Sequence, residues 1–192
     1  MIEKLLEYDT ELFLFLNNLG SPKWDSLWLI ITNKLFFGSF FTILLFYLFY
    51  KKFGLKAVFI LIFVVAVMIT FTDQITNLFK SGFARPRPCG NTDIADQLRF
   101  IAVRCGKYGF FSGHASNSMA VAVFGGLLLS PHFKKLIYIL MSISLIVAYS
   151  RIYIGVHYPL DIVCGMIFGA FSGVLFSKLA QYLLKGKNNL KA

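Results

Sequence analysis

The chain has 192 residues, 57% of them hydrophobic and 17% aromatic, with only 15% charged. A soluble domain of this length could not hide so much apolar surface, so the composition places the chain in a membrane and excludes disorder, a disulfide-stapled miniprotein and a coiled coil. Nineteen Lys and Arg against nine Asp and Glu give a net charge of +10, which in a membrane protein points to anionic lipid or a phosphorylated substrate ahead of nucleic acid.

Residues 2–16 place Ile2, Leu5, Leu6, Leu12, Phe13 and Leu16 near helical spacing, with acids and Lys4 between them. This stretch is too polar to span a bilayer and predicts an amphipathic helix within residues 1–20, lying at the membrane surface. Glu3, Glu7, Asp9 and Glu11 stand where a signal peptide needs a basic region, so a cleavable leader is not expected. Gly20-Ser21-Pro22 ends the helix. Residues 26–50 predict a first span and 55–79 a second, which turns polar at Asp73, Gln74 and Asn77. A hydrophilic connection over 80–113 follows. Residues 114–130, 136–150 and 159–182 predict three more spans, joined by a turn at 131–135 and a brief loop at 151–158. The expected fold is one domain over 1–192, an all-α integral membrane protein with about five transmembrane helices plus the N-terminal amphipathic surface helix.

Charge placement orients this layout. The 51–56 turn, the 131–135 turn and the tail carry Lys51, Lys52, Lys56, Lys134, Lys135, Lys185, Lys187 and Lys191 and no acid. The positive-inside rule makes that face cytoplasmic. Glu3, Glu7, Asp9, Glu11, Asp25, Asp73, Asp93, Asp96 and Asp161 all fall on the other face or at that end of a span. The outward face nevertheless holds many cations, around 80–107 and at Arg151, and function is the expected reason. Cys89 and Cys105 both fall in the outward connection, 16 positions apart. An oxidising compartment favours a bridge between them, with two free thiols as the alternative. Cys164 reads as packing in the last span. His114 and the two outward cysteines lack the paired close spacing of a metal site, so no metal is expected.

Three segments fall at the outward ends of spans: Lys80-Ser-Gly-Phe-Ala-Arg-Pro-Arg87-Pro88, Phe111-Ser112-Gly113-His114, and Ser150-Arg151-Ile-Tyr-Ile-Gly-Val-His157-Tyr-Pro-Leu-Asp161. Together they make a phosphate site by chemistry. Arg offers planar forks of donors to phosphate oxygens, and Lys a compact charge. Ser112 and Gly113 open a helix whose N-terminal N–H groups and positive end suit an anion. Pro159 suits the first position of the last helix, which puts Asp161 in its first turn and His157 just before it. From there Asp161 can fix one imidazole nitrogen and leave the other to attack phosphorus. His114 is placed to act as general acid, while the cations stabilise the transferring phosphoryl group.

The spacings Lys-x6-Arg-Pro, Ser-Gly-His and Ser-Arg-x5-His-x3-Asp resemble the three signature motifs of the type 2 phosphatidic acid phosphatase (PAP2) superfamily. That superfamily includes membrane lipid phosphatases, undecaprenyl-diphosphate phosphatases, glucose-6-phosphatase and the vanadium haloperoxidases. The matching residues are Lys80, Arg87 and Pro88; Ser112, Gly113 and His114; and Ser150, Arg151, His157 and Asp161. The resemblance implies that His157 is the nucleophile forming a phosphohistidine, that Asp161 orients it, and that His114 serves as acid and then base. It implies that Lys80, Arg87, Arg151, Ser112 and Gly113 bind phosphate. One position departs: the family usually has Pro before Ser-Gly-His, and here it is Phe111.

The expected function is hydrolysis of a phosphorylated membrane lipid, without metal or cofactor, on the outer face of a bacterial plasma membrane. Undecaprenyl diphosphate, phosphatidic acid, phosphatidylglycerophosphate and lipid A phosphate all present suitable groups, with undecaprenyl diphosphate the first choice on size and layout. No nucleic-acid partner is expected. Two alternatives stay open, a phosphotransferase passing the phosphoryl group to a lipid or glycan acceptor and a non-catalytic phospholipid-binding protein. A haloperoxidase is opposed by the composition. For Arg85, Arg99, Arg104 and Lys107 a headgroup contact competes with plain interfacial anchoring, and for Asp73 a role as a helix-end residue is favoured.

Overall fold

In lipid, a spanning segment must satisfy its backbone polar groups internally, and apolar runs of this length do so as helices. A computed structural model describes residues 2–33 and 38–188. The helices are α1 (Ile2–Asn18), α2 (Pro22–Thr32), α3 (Ser39–Phe53), α4 (Leu55–Phe83), α5 (Gly113–Leu129), α6 (Leu136–Tyr153) and α7 (Pro159–Asn188). Among the described residues there is no β-strand, and the loop after α4 carries two short 3-10 turns and an isolated antiparallel bridge between Pro86 and Tyr108. Leu55–Phe83, Leu136–Tyr153 and Pro159–Lys185 are long and apolar enough to cross a membrane, and Gly113–Leu129 is a shorter apolar helix. The protein is a multi-pass, all-helical membrane protein.

The first predicted span falls on α2 and α3 and the other four on α4 through α7, with shifts of boundary. The described part of the first span is two helices rather than one: α2 closes at Thr32, with Asn33 as its C-cap, and α3 starts at Ser39. Residues 34–37 of that span, and the end of the basic tail at 189–192, lie outside the described residues. α4 continues to Phe83, capped by Ala84 N–H donating to Lys80 O at 3.0 Å, so Lys80 sits in a helical last turn instead of opening the loop. α6 likewise continues to Tyr153 and carries Arg151 on its last turn.

The middle of the bundle is packed by Phe49, Leu61, Val64, Met68, Phe124 and Leu129, contributed by α3, α4 and α5. Phe59, Phe63, Tyr138, Ile167 and Phe171 point outward, as expected of side chains facing lipid. The closest pairing joins α5 to α7. Built onto the glycines of α7, a Cβ would lie 2.6 Å from Ser112 O at Gly165, 2.2 Å from Ser116 O at Gly169 and 2.6 Å from Ala120 O at Gly173. Three glycines at four-residue spacing thus let α7 rest directly on the backbone of α5, the small-residue packing of membrane helices. Because Ser112 opens α5 and Asp161 opens α7, this contact also fixes the two site-bearing helix ends against each other.

α1 exposes Ile2, Leu5, Leu6, Leu12 and Phe15, the apolar surface expected of an interfacial helix. The side it turns to the protein is a stripe of Asp9, Phe13 and Asn17, all buried. Asn17 is fully enclosed. Its Nδ2 lies 3.0 Å from Arg99 O, Ile152 O and Tyr153 O, and its Oδ1 accepts from Arg99 N–H at 2.9 Å. At one pole Leu55, Lys56, Leu128, Pro131 and Lys185 gather around one opening. At the other, Asp9, Arg85, Ser112 and Asp161 converge.

Candidate active site

The loop between α6 and α7 delivers the central pair. His157 is buried in it, four residues before Asp161 in the first turn of α7, and its Nδ1 lies 3.2 Å from Asp161 Oδ2. The same Oδ2 accepts the Tyr158 N–H at 3.1 Å. Asp161 Oδ1 accepts from Arg85 Nη1 at 3.0 Å. A buried carboxylate is tolerated here because both oxygens are satisfied. Burial pushes the His157 imidazole down to about 4, against the upward pull of the Asp161 hydrogen bond and charge and with further lowering by Arg87 and Arg151. The ring is therefore neutral at physiological pH. With Nδ1 donating to the carboxylate, Nε2 keeps its lone pair.

Cations and helix ends surround this pair. Arg87 Nε donates to Tyr108 O at 3.0 Å, and burial lowers its guanidinium from the ordinary value, with Asp161 opposing. The segment holding it is closed by the bridge Pro86–Tyr108, by Gly109 N–H donating to Arg85 O at 3.0 Å, and by a Cys89–Cys105 disulfide with Cα atoms 5.9 Å apart. Of the two states open for these cysteines, the structure shows the bridge. Arg151 donates from Nη1 to Thr32 Oγ1. Its Nε is buried with no hydrogen-bond partner. A buried, unsatisfied guanidinium donor near His157 suits an incoming anion.

Ser112 is the N-cap of α5 and fully buried; its Oγ accepts from Ala115 N–H, and its own N–H donates to Asp161 O at 2.9 Å. Gly113 follows as the first helical residue, where the N–H has no intrahelical acceptor. A Cβ built on Gly113 would stand 3.6 Å from Lys80 Nζ, which brings the last turn of α4 over the start of α5. His114, next on α5, lines a cavity of about 290 Å³ that continues past Asp73 and Asn117 to Val121, Leu45 and Leu140 in the apolar interior. Asp73 Oδ1 accepts from Asn117 Nδ2 at 2.8 Å, and Thr72 Oγ1 donates to Asn117 Oδ1. Asn117 thus ties α5 to α4, a helix–helix contact in keeping with its type.

The eight sequence-derived site residues therefore fall at one pole, with His114 opening onto the apolar cavity, which none of the other seven lines. Among the described residues, no group of three His, Cys, Asp or Glu is arranged to hold a metal ion. Phe111, where the motif departs, is buried with its ring 5.1 Å from that of Phe79 and 5.2 Å from that of Phe168, so it fills the space between α4 and α7. Arg99 pairs with Asp25 and lies over the Tyr153 ring, which makes it an anchor of α2. Arg104 and Lys107 are exposed.

Sequence reasoning weighed Arg85 only as a headgroup contact or an anchor, and it missed Asp9 and Gly109. Arg85 is held by carboxylates on two sides, Asp161 and, at 2.6 Å, Asp9. Asp9 belongs to the surface helix and also accepts the Leu160 N–H at 2.8 Å. An acid spaced four and eight residues from Phe13 and Asn17, on the face that turns inward, was the available signal. Gly109 is the other. A Cβ there would stand 2.8 Å from Asp161 Oδ2 and 3.6 Å from His157 Nδ1, and nothing in its local sequence marks it.

Comparison with known proteins agrees with this geometry. The PAP2 superfamily model matches residues 57–185. The lipid A 4'-phosphatase of Bacteroides thetaiotaomicron is 36% identical over 186 residues, covering 95% of this chain and 81% of that protein. The protein of the same name from Porphyromonas gingivalis is 36% identical over 183 residues, covering 94% and 76%. The crystal structure of a transmembrane PAP2-type phosphatidylglycerolphosphate phosphatase from Bacillus subtilis superposes with a TM-score of 0.73 at 18% identity, covering 93% of this chain and 87% of that one, and so shares the fold. With the family's motif residues gathered at one pole and its model matched across most of the chain, this protein belongs to the PAP2 superfamily.

Proposed function

We propose that the protein is a metal-independent lipid phosphatase, working through a phosphohistidine on the outer face of a bacterial plasma membrane, with a lipid A 4'-phosphate as its substrate. The observation that carries this reading is the buried His157–Asp161 pair, 3.2 Å apart, beside an Arg151 Nε that lacks a partner. Two relatives named lipid A 4'-phosphatase, each aligned over more than nine-tenths of this chain, favour lipid A over undecaprenyl diphosphate, the first choice from sequence. The cavity running from His114 to Val121 and Leu140 suits a substrate with an apolar portion.

The chemistry follows from the geometry. The substrate phosphate sits among Lys80, Arg87, Arg151 and the N-terminus of α5, which together stabilise charge on its oxygens. His157 Nε2 attacks phosphorus, the P–O bond to the lipid breaks, and His114 gives its proton to the departing oxygen. Asp161 stabilises the cationic ring that forms. Water then attacks the phosphohistidine and passes a proton to His114. The P–N bond breaks with its electron pair returning to Nε2, releasing inorganic phosphate and restoring both histidines.

Phosphate release by purified protein in detergent, with EDTA present, tests this reading across lipid A, phosphatidic acid, phosphatidylglycerophosphate and undecaprenyl diphosphate. Release from lipid A, undiminished by EDTA, is expected. Dependence on an added divalent ion would overturn the metal-independent chemistry, and preference for another of the four would overturn the substrate.

A further inference from the structure

The N-terminal helix reaches the catalytic carboxylate. Asp9 is 4% exposed although it belongs to a helix whose other acids, Glu3, Glu7 and Glu11, face solvent. Its two oxygens are used separately: Oδ1 accepts the Leu160 N–H at 2.8 Å, and Oδ2 accepts from Arg85 Nη2 at 2.6 Å. The other terminal nitrogen of Arg85 reaches Asp161 Oδ1 at 3.0 Å, and the central guanidinium carbon lies over the Tyr158 ring, 4.1 Å from its centre. Asp9, Arg85, Asp161 and His157 therefore form one chain of charge-assisted contacts, from the N-terminal helix to His157 Nδ1, the ring nitrogen opposite the attacking Nε2. Arg85 belongs to the first signature segment, yet it faces carboxylates rather than the phosphate position.

Resting on the phosphatase reading above, we propose that Asp9 and Arg85 are positioning residues for His157, with α1 clamping the guanidinium that holds the Asp161 carboxylate in register with the imidazole. A guanidinium is suited to this because it can bridge two carboxylates with separate nitrogens in a fixed plane, which an ammonium cannot do. The groups facing Asp161 are Arg85 and Arg87 from the loop after α4, His157 and Tyr158 from the loop before α7, Asp9 from α1 and Cys164 on its own helix. Of these, Arg85 is the cation bonded to the carboxylate oxygen that His157 does not use. Without Asp9 to fix it, Arg85 can swing toward water, and Asp161 keeps only the imidazole and the Tyr158 N–H. The charge that develops on His157 as it is phosphorylated then meets a less ordered carboxylate. The effect belongs in kcat and leaves substrate affinity alone, because neither residue touches the phosphate.

Asp9→Asn tests this in the full-length protein, since the amide oxygen can still accept the Leu160 N–H while the ion pair with Arg85 is lost. Loss of one charge-assisted contact predicts a fall of roughly tenfold in kcat with KM within about twofold, and slower phosphorylation of His157 after rapid quench. Glu11→Gln, the same charge change on the exposed face of α1, is expected to match the wild type. In protein labelled with 15N-histidine, the His157 Nδ1–H proton resonance is expected to move in Asp9→Asn. Wild-type kcat in a folded Asp9→Asn protein, an equal effect of Glu11→Gln, or a change confined to KM would each overturn the proposal. Should Asp9→Asn not fold, Arg85→Lys is read in the same way: a lowered kcat is expected, and wild-type kcat overturns the proposal. If the Nδ1–H resonance moves but wild-type protein never carries phosphate on His157, the phosphatase reading fails while the coupling of α1 to the pair stands. An unmoved resonance fails the coupling itself.

Discussion

At His157 two opposing influences meet, and their balance sets the chemistry. Enclosure in protein disfavours the charged ring, while Asp161 favours it; enclosure wins, and the imidazole is held near 4. The unfolded chain protonates this ring at about 6.5, so between that value and 4 the unfolded state binds the proton that the folded state refuses. The resulting contribution to stability is full above pH ~6.5 and is lost as pH falls through that window. In 15N-histidine spectra the His157 ring is expected to remain neutral at pH 5.5; a titration midpoint above 6 would contradict this account of the nucleophile. Gly109 supplies a second check at this scale. Its missing Cβ leaves room for Asp161 Oδ2, which would otherwise be met at 2.8 Å, and that oxygen is bound by its partners and cannot yield freely. Gly109→Ala is expected to lower kcat by a factor of ten or more, about 1.4 kcal/mol of transition-state stabilisation, in a protein that still folds; wild-type kcat would show that the close approach does not matter. The candidate residues were legible in sequence because phosphate chemistry needs fixed side-chain types at fixed spacings. Gly109 and Asp9 were not, because their partners lie 52 and 76 positions away at Asp161 and Arg85 and no local pattern encodes them.

The helices show why boundaries were harder to read than spans. Apolar length marks a membrane helix, but its last turn is set by capping, and so Lys80 and Arg151 sit on helical turns where hydropathy suggested loop. This places both cations on rigid elements. The end of α2 inside the predicted first span is not marked by hydropathy, because Thr32 and Asn33 are flanked by apolar residues on one side and their part as helix end and C-cap is set by backbone conformation. The Gly165, Gly169 and Gly173 stripe was present in the sequence as a four-residue repeat, and the signal was its period. Gly169 makes the tightest approach, so Gly169→Ala would force α7 away from Ser116 and is expected to destabilise the fold by about 2 kcal/mol or more. Thermal unfolding in detergent reads this directly, and an unchanged midpoint would mean that the two helices are not held by backbone contact.

Across the whole molecule the same division recurs. One pole carries the lysines of the short turns, and the other gathers the motif residues from α4, α5, α6 and α7, with α1 laid against them. In the proposed orientation, drawn from the positive-inside rule, the lysine pole is cytoplasmic and the active site outward, a placement in keeping with the Cys89–Cys105 bridge. Much of the excess of cations at that pole, anomalous by charge counting, is used by the site and by ion pairs. Arg87 and Arg151 lie around His157 and Arg85 and Arg99 pair with Asp9, Asp161 and Asp25, while Arg104 and Lys107 stay exposed. Composition identified the membrane and the motifs identified the pole. The inward face of the N-terminal helix, with Asp9, Phe13 and Asn17 buried, is not legible in its hydrophobic spacing, which speaks only of the side that meets lipid.

The covalent step is the centre of this account, and rapid acid-free quench of the detergent-solubilised enzyme with 32P-labelled lipid A, followed by peptide mapping, tests it most directly. Alkali-stable label on His157 is expected within one turnover, absent from His157→Ala, which should fold as the wild type and release no phosphate. Label on another residue, or phosphate release by His157→Ala above a small fraction of the wild-type rate, would contradict it.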